Sequence, residues 1–249
     1  MKPDIVVDIG NSRIKWGCCT AGSLGDLASL GHGDIAAWEE QVNRWQVRAQ
    51  AVWVLSGVNP PASEQLKDWI LRRGDTVRVL NEARLLPLVV RLEEPDKTGI
   101  DRLLNAVAAN ARRTPGVPAA IVDAGSAVTV DYLDKDGAYC GGAIFPGVRL
   151  MMHALNDYTA LLPLVDVKPP IPPLPGNTTI AAMQAGVYSA VTGGIQAILH
   201  HLGKIGGPPL QVILTGGDAT LLAPGLEGPA TVWPEMTLEG LWLAAETLP

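Results

Sequence analysis

The chain has 249 residues, 47% of them apolar and 18% charged, with a formal net charge of −6. That is enough apolar material for one large core or two small ones, and it excludes intrinsic disorder. No Lys/Arg-rich tract is present, so nucleic acid is not an expected partner, and an anionic ligand must be held by local donors rather than by a global field.

Ile5-Val6-Val7 is a β-branched run ending at Asp8-Ile9-Gly10-Asn11-Ser12, and Arg13 to Cys19 alternates apolar and polar residues. Together they predict a β-hairpin with a polar, glycine-containing turn. Asp34 is placed to cap a helix running to about Arg48, with Ile35, Trp38, Val42 and Trp45 on one face. Residues 51–58 read as a buried strand, Pro60-Pro61 as the start of a helix reaching about Arg73, and 76–80 as a further strand. Residues 99–113 predict a helix with Ile100, Leu103, Leu104, Val107 and Ala108 inward.

Pro115 to Pro118 is rich in turn formers and marks the expected boundary between two domains, 1–115 and 116–249. Beyond it, strands are expected over 119–122, 128–132 and 138–145, then a helix opened by Pro146-Gly147 and reaching about Leu161. Six prolines between 163 and 175 predict an extended surface loop. A long helix follows from Thr179 to about Leu202, then a strand over 210–214, and a last helix over 236–247. The span from Pro169 to Gly203 holds no Asp, Glu, Lys or Arg, but its helix is interrupted by Thr, Gln, Ser and Gly, which suits a buried or interface helix better than a membrane span. The N-terminal ten residues lack the apolar core and cleavage site of a secretory signal, and Cys18, Cys19 and Cys140 read as reduced thiols, so a cytoplasmic setting is expected. His32, His153, His200 and His201 have no metal-ligand spacing.

The strand order restarts near residue 119, and Asp8-x-Gly10 and Asp123-x-Gly125, 115 positions apart, both end an apolar strand and precede a second one. This predicts an internal duplication with a cleft between the halves. In such a turn the glycine lets the backbone approach an anion, the N–H and hydroxyl groups donate to phosphate oxygens, and Asp8 can hold Mg²⁺. Lys15 offers a point charge, and Ser126 and Asp123 repeat the logic in the second half. A third turn, Thr215-Gly216-Gly217-Asp218, suits close packing against a flat adenine or a ribose, or else simply a helix start capped by Asp218. Gly99-Ile100-Asp101-Arg102 at a helix start reads either as an ordinary cap or as a base that accepts a hydroxyl proton beside a guanidinium clamp. No GxxxxGK[ST] loop and no HRD or DFG set is present, so any nucleotide site is of another type.

The motifs DIGNSRIK, GIDR, DAGSAVTVD, GGAIFPG and LTGGDA, in this order and spacing, resemble type III pantothenate kinases of the acetate kinase/Hsp70/actin-like superfamily. The resemblance covers nearly the whole chain. It implies an α/β fold of two duplicated ribonuclease H-like, actin-like half-domains with a nucleotide cleft between them. It further implies ATP-dependent phosphorylation of pantothenate at the first step of coenzyme A synthesis, with Mg²⁺ and a monovalent cation, K⁺ or NH₄⁺, in a homodimer. Carried over by position, Asp8, Ile9, Gly10, Asn11, Ser12, Arg13, Ile14 and Lys15 form the first phosphate loop, with Ser126 also contacting ATP. Asp8 serves Mg²⁺ and Asp123 the monovalent cation. Asp101 is the general base; Gly99, Ile100, Asp101 and Arg102 contact pantothenate, as does Thr179 from the partner subunit. Leu92 stands where the family carries a substrate-contacting Tyr, and leucine cannot donate that hydrogen bond. Two other readings are a kinase for another small hydroxy acid or sugar, and a non-catalytic nucleotide-binding regulator.

Overall fold

The computed structural model describes residues 2–20 and 22–248. Its first elements are β1 (Ile5–Ile9), β2 (Ile14–Thr20), β3 (Ser23–Leu30), α1 (Ile35–Arg44), β4 (Val52–Gly57), α2 (Pro60–Arg72), β5 (Thr76–Val79) and α3 (Ile100–Arg112). The strands form one sheet in the order β3-β2-β1-β4-β5, antiparallel across β1, β2 and β3 and parallel across β1, β4 and β5. β1 is central and buried along its length, which its β-branched run allows on both faces. Asp34 caps α1 by accepting the Ala37 N–H at 3.1 Å, and Asn59 caps α2 ahead of Pro60-Pro61. α1 ends at Arg44, short of the expected Arg48, and Gln46 follows with a φ of 51°.

The core of this unit is built on tryptophan. Trp16, Trp38, Trp53 and Trp69 are buried together, with Trp16 edge-on to Trp53 at 5.0 Å and Trp38 edge-on to Trp69 at 5.5 Å. Asp75 is buried beside them and accepts from the Ala51 N–H, the Trp53 indole and the Arg73 guanidinium, so its charge is solvated by the protein.

The second set is β6 (Ala119–Ala124), β7 (Ala127–Leu133), β8 (Tyr139–Pro146), α4 (Val148–Asp157), α5 (Thr179–Gly206), β9 (Gln211–Thr215), α6 (Ala219–Leu222) and β10 (Ala230–Val232). Its sheet has the order β10-β9-β6-β7-β8 with the same alternation of pairings. β6 takes the place of β1, β9 that of β4, and so on outward. Single hydrogen bonds repeat too: Leu80 N–H donates to Leu55 O at 2.8 Å, and Trp233 N–H to Leu214 O at 2.7 Å. Both sheets are therefore the ribonuclease H-like arrangement, and the duplication is a property of the backbone. Apolar residues of β6, β7, α4, α5 and β9 close the second core.

The last helix, α7 (Met236–Glu246), corrects the expected boundary. The chain divides into Met1–Arg112 with Glu235–Pro249, and Arg113–Pro234, so the second domain does not run from 116 to 249. α7 packs on α3: Gly240 lies directly on the Leu104 backbone, Thr237 Oγ1 meets Asn105 Oδ1 at 2.8 Å, and Arg112 pairs with Glu239 at 2.6 Å. Its periodicity marks an apolar face but not which core that face joins. β3 and β10 were also not expected; β3 is largely exposed and β10 has three residues, so neither carries a clear apolar pattern.

Candidate active site

In the first unit the candidate site is built on the end of β1. Asp8 pairs across the sheet with Lys15 on β2 and lies beside Ser56 on β4, and it is 9% exposed. The turn after it is closed by the Gly10 N–H donating to Arg13 O at 3.1 Å. Gly10 O in turn accepts from His32 Nε2 at 3.0 Å. Asn11, Ser12 and Arg13 are exposed, whereas the Ile9 and Ile14 side chains are fully buried, so only the backbone of these two faces the turn. Gly57 sits against the Ile9 backbone, where a Cβ would not fit.

Gly99 to Arg102 start α3 in the same unit. Asp101 Oδ1 accepts the Arg102 N–H at 2.9 Å, and that N–H is shared with Gly99 O at 3.1 Å. The carboxylate folds back over Gly99, where a Cβ would stand 2.6 Å from Oδ1. Asp101 and Arg102 are half-buried, and the Ile100 side chain belongs to the core, so Ile100 can offer a ligand only its backbone.

The second unit repeats the turn with one residue fewer: the Gly125 N–H donates to Ala127 O at 3.1 Å. Ser126 is exposed at its tip, and its carbonyl accepts the Gly147 N–H at 3.0 Å. Gly216 has a φ of +91°, and a Cβ there would stand 2.5 Å from both Ala124 O and Asp123 Oδ1. Only glycine lets β9 pass this close to Asp123. Asp218 N–H then donates to Ala124 O at 2.9 Å; its side chain precedes α6 without capping it, and burial pushes its carboxyl above the ordinary value. Gly217 and Asp218 line a cavity of about 400 Å³ with Val148, Arg149 and Met152 of α4 and residues 165–169 of the proline-rich loop. A neighbouring cavity of about 380 Å³ holds Ser126, Arg149 and His153.

The donor chemistry suits a nucleotide that brings its metal. Among the described residues no three His, Cys, Asp or Glu side chains cluster as a metal site. The Asp8 carboxylate at the end of β1 is of the type that could hold Mg²⁺, an ion that keeps waters and takes its other ligands from phosphates. Cys19 is not an activated thiol: it is pushed up to about 12, by burial first and then by Cys18 and Asp4.

A family model described as type III pantothenate kinase matches residues 5–201. The chain belongs to the type III pantothenate kinase family. A type III pantothenate kinase of Nitrosococcus oceani is 32% identical over 95% of this chain and 91% of its own length. Those of Akkermansia muciniphila and Rhodospirillum rubrum are 39% and 41% identical over 77% and 63% of this chain, and the matched segments span 77% and 60% of those relatives. Among solved structures, a Baf-family protein of Campylobacter jejuni, described as a transcriptional activator, aligns with a TM-score of 0.62 and 21% identity over 97% of both chains. An ADPNP-bound activator of 2-hydroxyisocaproyl-CoA dehydratase from Clostridium difficile aligns at 0.55 and 14% identity over 98% of this chain and 93% of its own. The ROK hexokinase of Thermus thermophilus aligns at 0.52 and 14% identity over 98% of both chains. These structures share the fold, two ribonuclease H-like half-domains of the actin-like ATPase type.

The remaining residues that the pantothenate kinase motifs implicate lie on loops or helix starts. Leu92 is half-buried in the segment before the 3₁₀ turn Pro95–Lys97. Thr179 is the exposed first residue of α5, while its neighbour Thr178 is the cap and accepts the Ala181 N–H at 3.1 Å. Among the described residues no helix is long and apolar enough to cross a membrane. No local pattern marks His32, and Gly147 and residues 165–169 read from sequence only as a helix start and part of an extended loop; strand register and folding place them beside the turns.

Proposed function

We propose that this protein transfers the γ-phosphoryl group of ATP to the primary hydroxyl of pantothenate, the opening step of coenzyme A synthesis. The observation that carries the reading is the seating of Asp101: its carboxylate is held by the Arg102 N–H over a glycine that leaves it room. In that role Asp101 accepts the hydroxyl proton as the oxygen forms its bond to phosphorus and the bond from the γ-phosphorus to the bridging oxygen of ADP breaks. Arg102 clamps the pantothenate carboxylate, and Gly99 and Ile100 contribute backbone groups. The first turn, Asp8 to Lys15, binds phosphates through N–H and hydroxyl donors, and Asp8 would hold Mg²⁺, which would supply positive charge against the phosphates. Ser126 adds a phosphate contact, and Asp123 would hold the monovalent cation, K⁺ or NH₄⁺.

The cavity beside Gly216-Gly217 takes the adenosine, since its glycine edge allows a flat ring to approach and Met152 and Val165 give apolar contact. α5 supports a homodimer in which Thr179 of one subunit reaches the substrate of the other. It carries no Asp, Glu, Lys or Arg before Lys204, and Gly186 and Gly193 have open space around them. In this reading Leu92 leaves the substrate without a tyrosine hydroxyl, so that hydrogen bond is absent or made elsewhere.

The deciding experiment is ATP consumption with and without pantothenate, K⁺ being varied in both arms. A pantothenate-dependent, K⁺-stimulated rate is expected. ATP binding with no such rate would overturn pantothenate as substrate, and a panel of hydroxy acids and sugars would then identify the acceptor.

A further inference from the structure

The first phosphate turn is tied down by a side chain that no motif contains. The β2–β3 register, Ile14 opposite Leu30, brings Gly31 and His32 alongside the returning arm of the Gly10–Arg13 turn. The link is fixed on both sides of His32: Gly31 O accepts the Trp38 indole N–H at 3.1 Å, and Gly33, at a φ of +70°, lies against the Gln65 amide. His32 Nε2 then meets Gly10 O at 3.0 Å. A carbonyl only accepts, so the ring nitrogen is the donor.

This bond sets more than a carbonyl. In a planar trans peptide the C=O and the next N–H point in opposite directions. Holding Gly10 O toward His32 therefore aims the Asn11 N–H away from it, into the exposed turn. The second unit makes a related restraint one peptide further on and with backbone alone, where the Gly147 N–H, from the segment after the third strand of its sheet, donates to Ser126 O at 3.0 Å. The segment after the third strand thus braces the Asp-x-Gly turn in both halves, and in the first half a histidine does it.

We infer that His32 is a positioning residue for nucleotide binding: it locks the Gly10–Asn11 peptide so that the Asn11 N–H faces an ATP phosphate. The inference rests on the reading of residues 8–15 as the phosphate loop. Its test measures Mg·ATP affinity by calorimetry, together with KM for ATP and kcat, in the full chain and in three variants. His32→Ala is expected to weaken ATP binding about 3- to 10-fold, the size of one lost hydrogen bond, with an unchanged melting temperature. His32→Gln retains an N–H donor and is expected to restore affinity to within about twofold. His32→Met matches Gln in size without the donor and should behave as the alanine variant. The Gln–Met comparison also decides the matter if the alanine variant fails to fold. ATP binding by the wild type with Ala within twofold of it, or with Gln no better than Met, overturns the inference alone. A wild type that binds no ATP overturns the phosphate-loop reading and this with it.

Discussion

Asp101 Oδ1 fills the space that a side chain on Gly99 would take, since a methyl group there would stand 2.6 Å from that oxygen. The clash is with the end of a side chain and not with backbone, so the fold can relieve it by moving the carboxylate. The cost then falls on the carboxylate, which leaves the Arg102 N–H at 2.9 Å and loses its aim. Gly99→Ala is expected to keep its melting temperature within about 2 °C of wild type. Its kcat should fall by about 10- to 100-fold. Thermal unfolding and steady-state kinetics on the same sample check this; a variant that loses stability and activity in proportion would point to a structural role for Gly99 instead.

Asp101→Asn separates proton acceptance from position. The amide oxygen can still accept the Arg102 N–H, so the local geometry persists, but the group cannot take a proton from a hydroxyl. Turnover should fall by about 10²- to 10⁴-fold, the usual contribution of a general base. ATP affinity by calorimetry should stay within about twofold. Pantothenate phosphorylation at wild-type rate would remove Asp101 from the chemistry.

How much of this was open to the sequence depended on whether the signal was local. β1 and β6 and their Asp-x-Gly turns were legible because a β-branched run followed by a glycine turn is a local pattern, and the near-equal spacing announced the duplication. The helix start at Gly99-Ile100-Asp101-Arg102 was legible for the same reason. The placement of α7 was not, because an amphipathic stripe says that a face is buried and not against what; the contact of Gly240 with Leu104 joins positions far apart in the chain. His32 was hidden likewise, since Gly31 to Asp34 reads as a plain connection until the register of β3 on β2 brings it to Gly10. The proline-rich loop disclosed extended backbone but not that Val165 to Pro169 would wall a cavity.

The two glycines after β9 should respond in opposite ways. Gly216 combines a φ of +91° with backbone and Asp123 Oδ1 at 2.5 Å from a would-be Cβ, while Gly217 has open space and no such φ. Gly216→Ala is expected to destabilise the fold by about 1–3 kcal/mol, visible as a lowered urea midpoint, and to disturb Asp123. Gly217→Ala should leave the midpoint unchanged but raise KM for ATP, because the added methyl projects into open space beside the cavity proposed for adenosine. Equal destabilisation by both would contradict the geometry, and an unchanged KM for ATP in Gly217→Ala would argue against nucleotide in that cavity.

Asp218 makes stability depend on pH in a defined direction. Burial holds its carboxyl above the ordinary value of 3.8, so the folded chain favours the protonated form while the unfolded chain ionises first as pH rises. The stability it contributes is therefore complete below the unfolded value and is lost as pH rises through the folded one. Once ionised, the side chain is a half-buried charge that does not cap α6. Asp218→Asn stays neutral throughout. It should melt higher than wild type at pH 7, with the difference shrinking as pH is lowered toward 4, and the gain should be small because water still reaches the site. Melting temperatures of both proteins, without nucleotide, across pH 4 to 8 test this. A pH-independent difference, or a variant that melts lower at pH 7, would mean that Asp218 is stabilised by an interaction outweighing its desolvation.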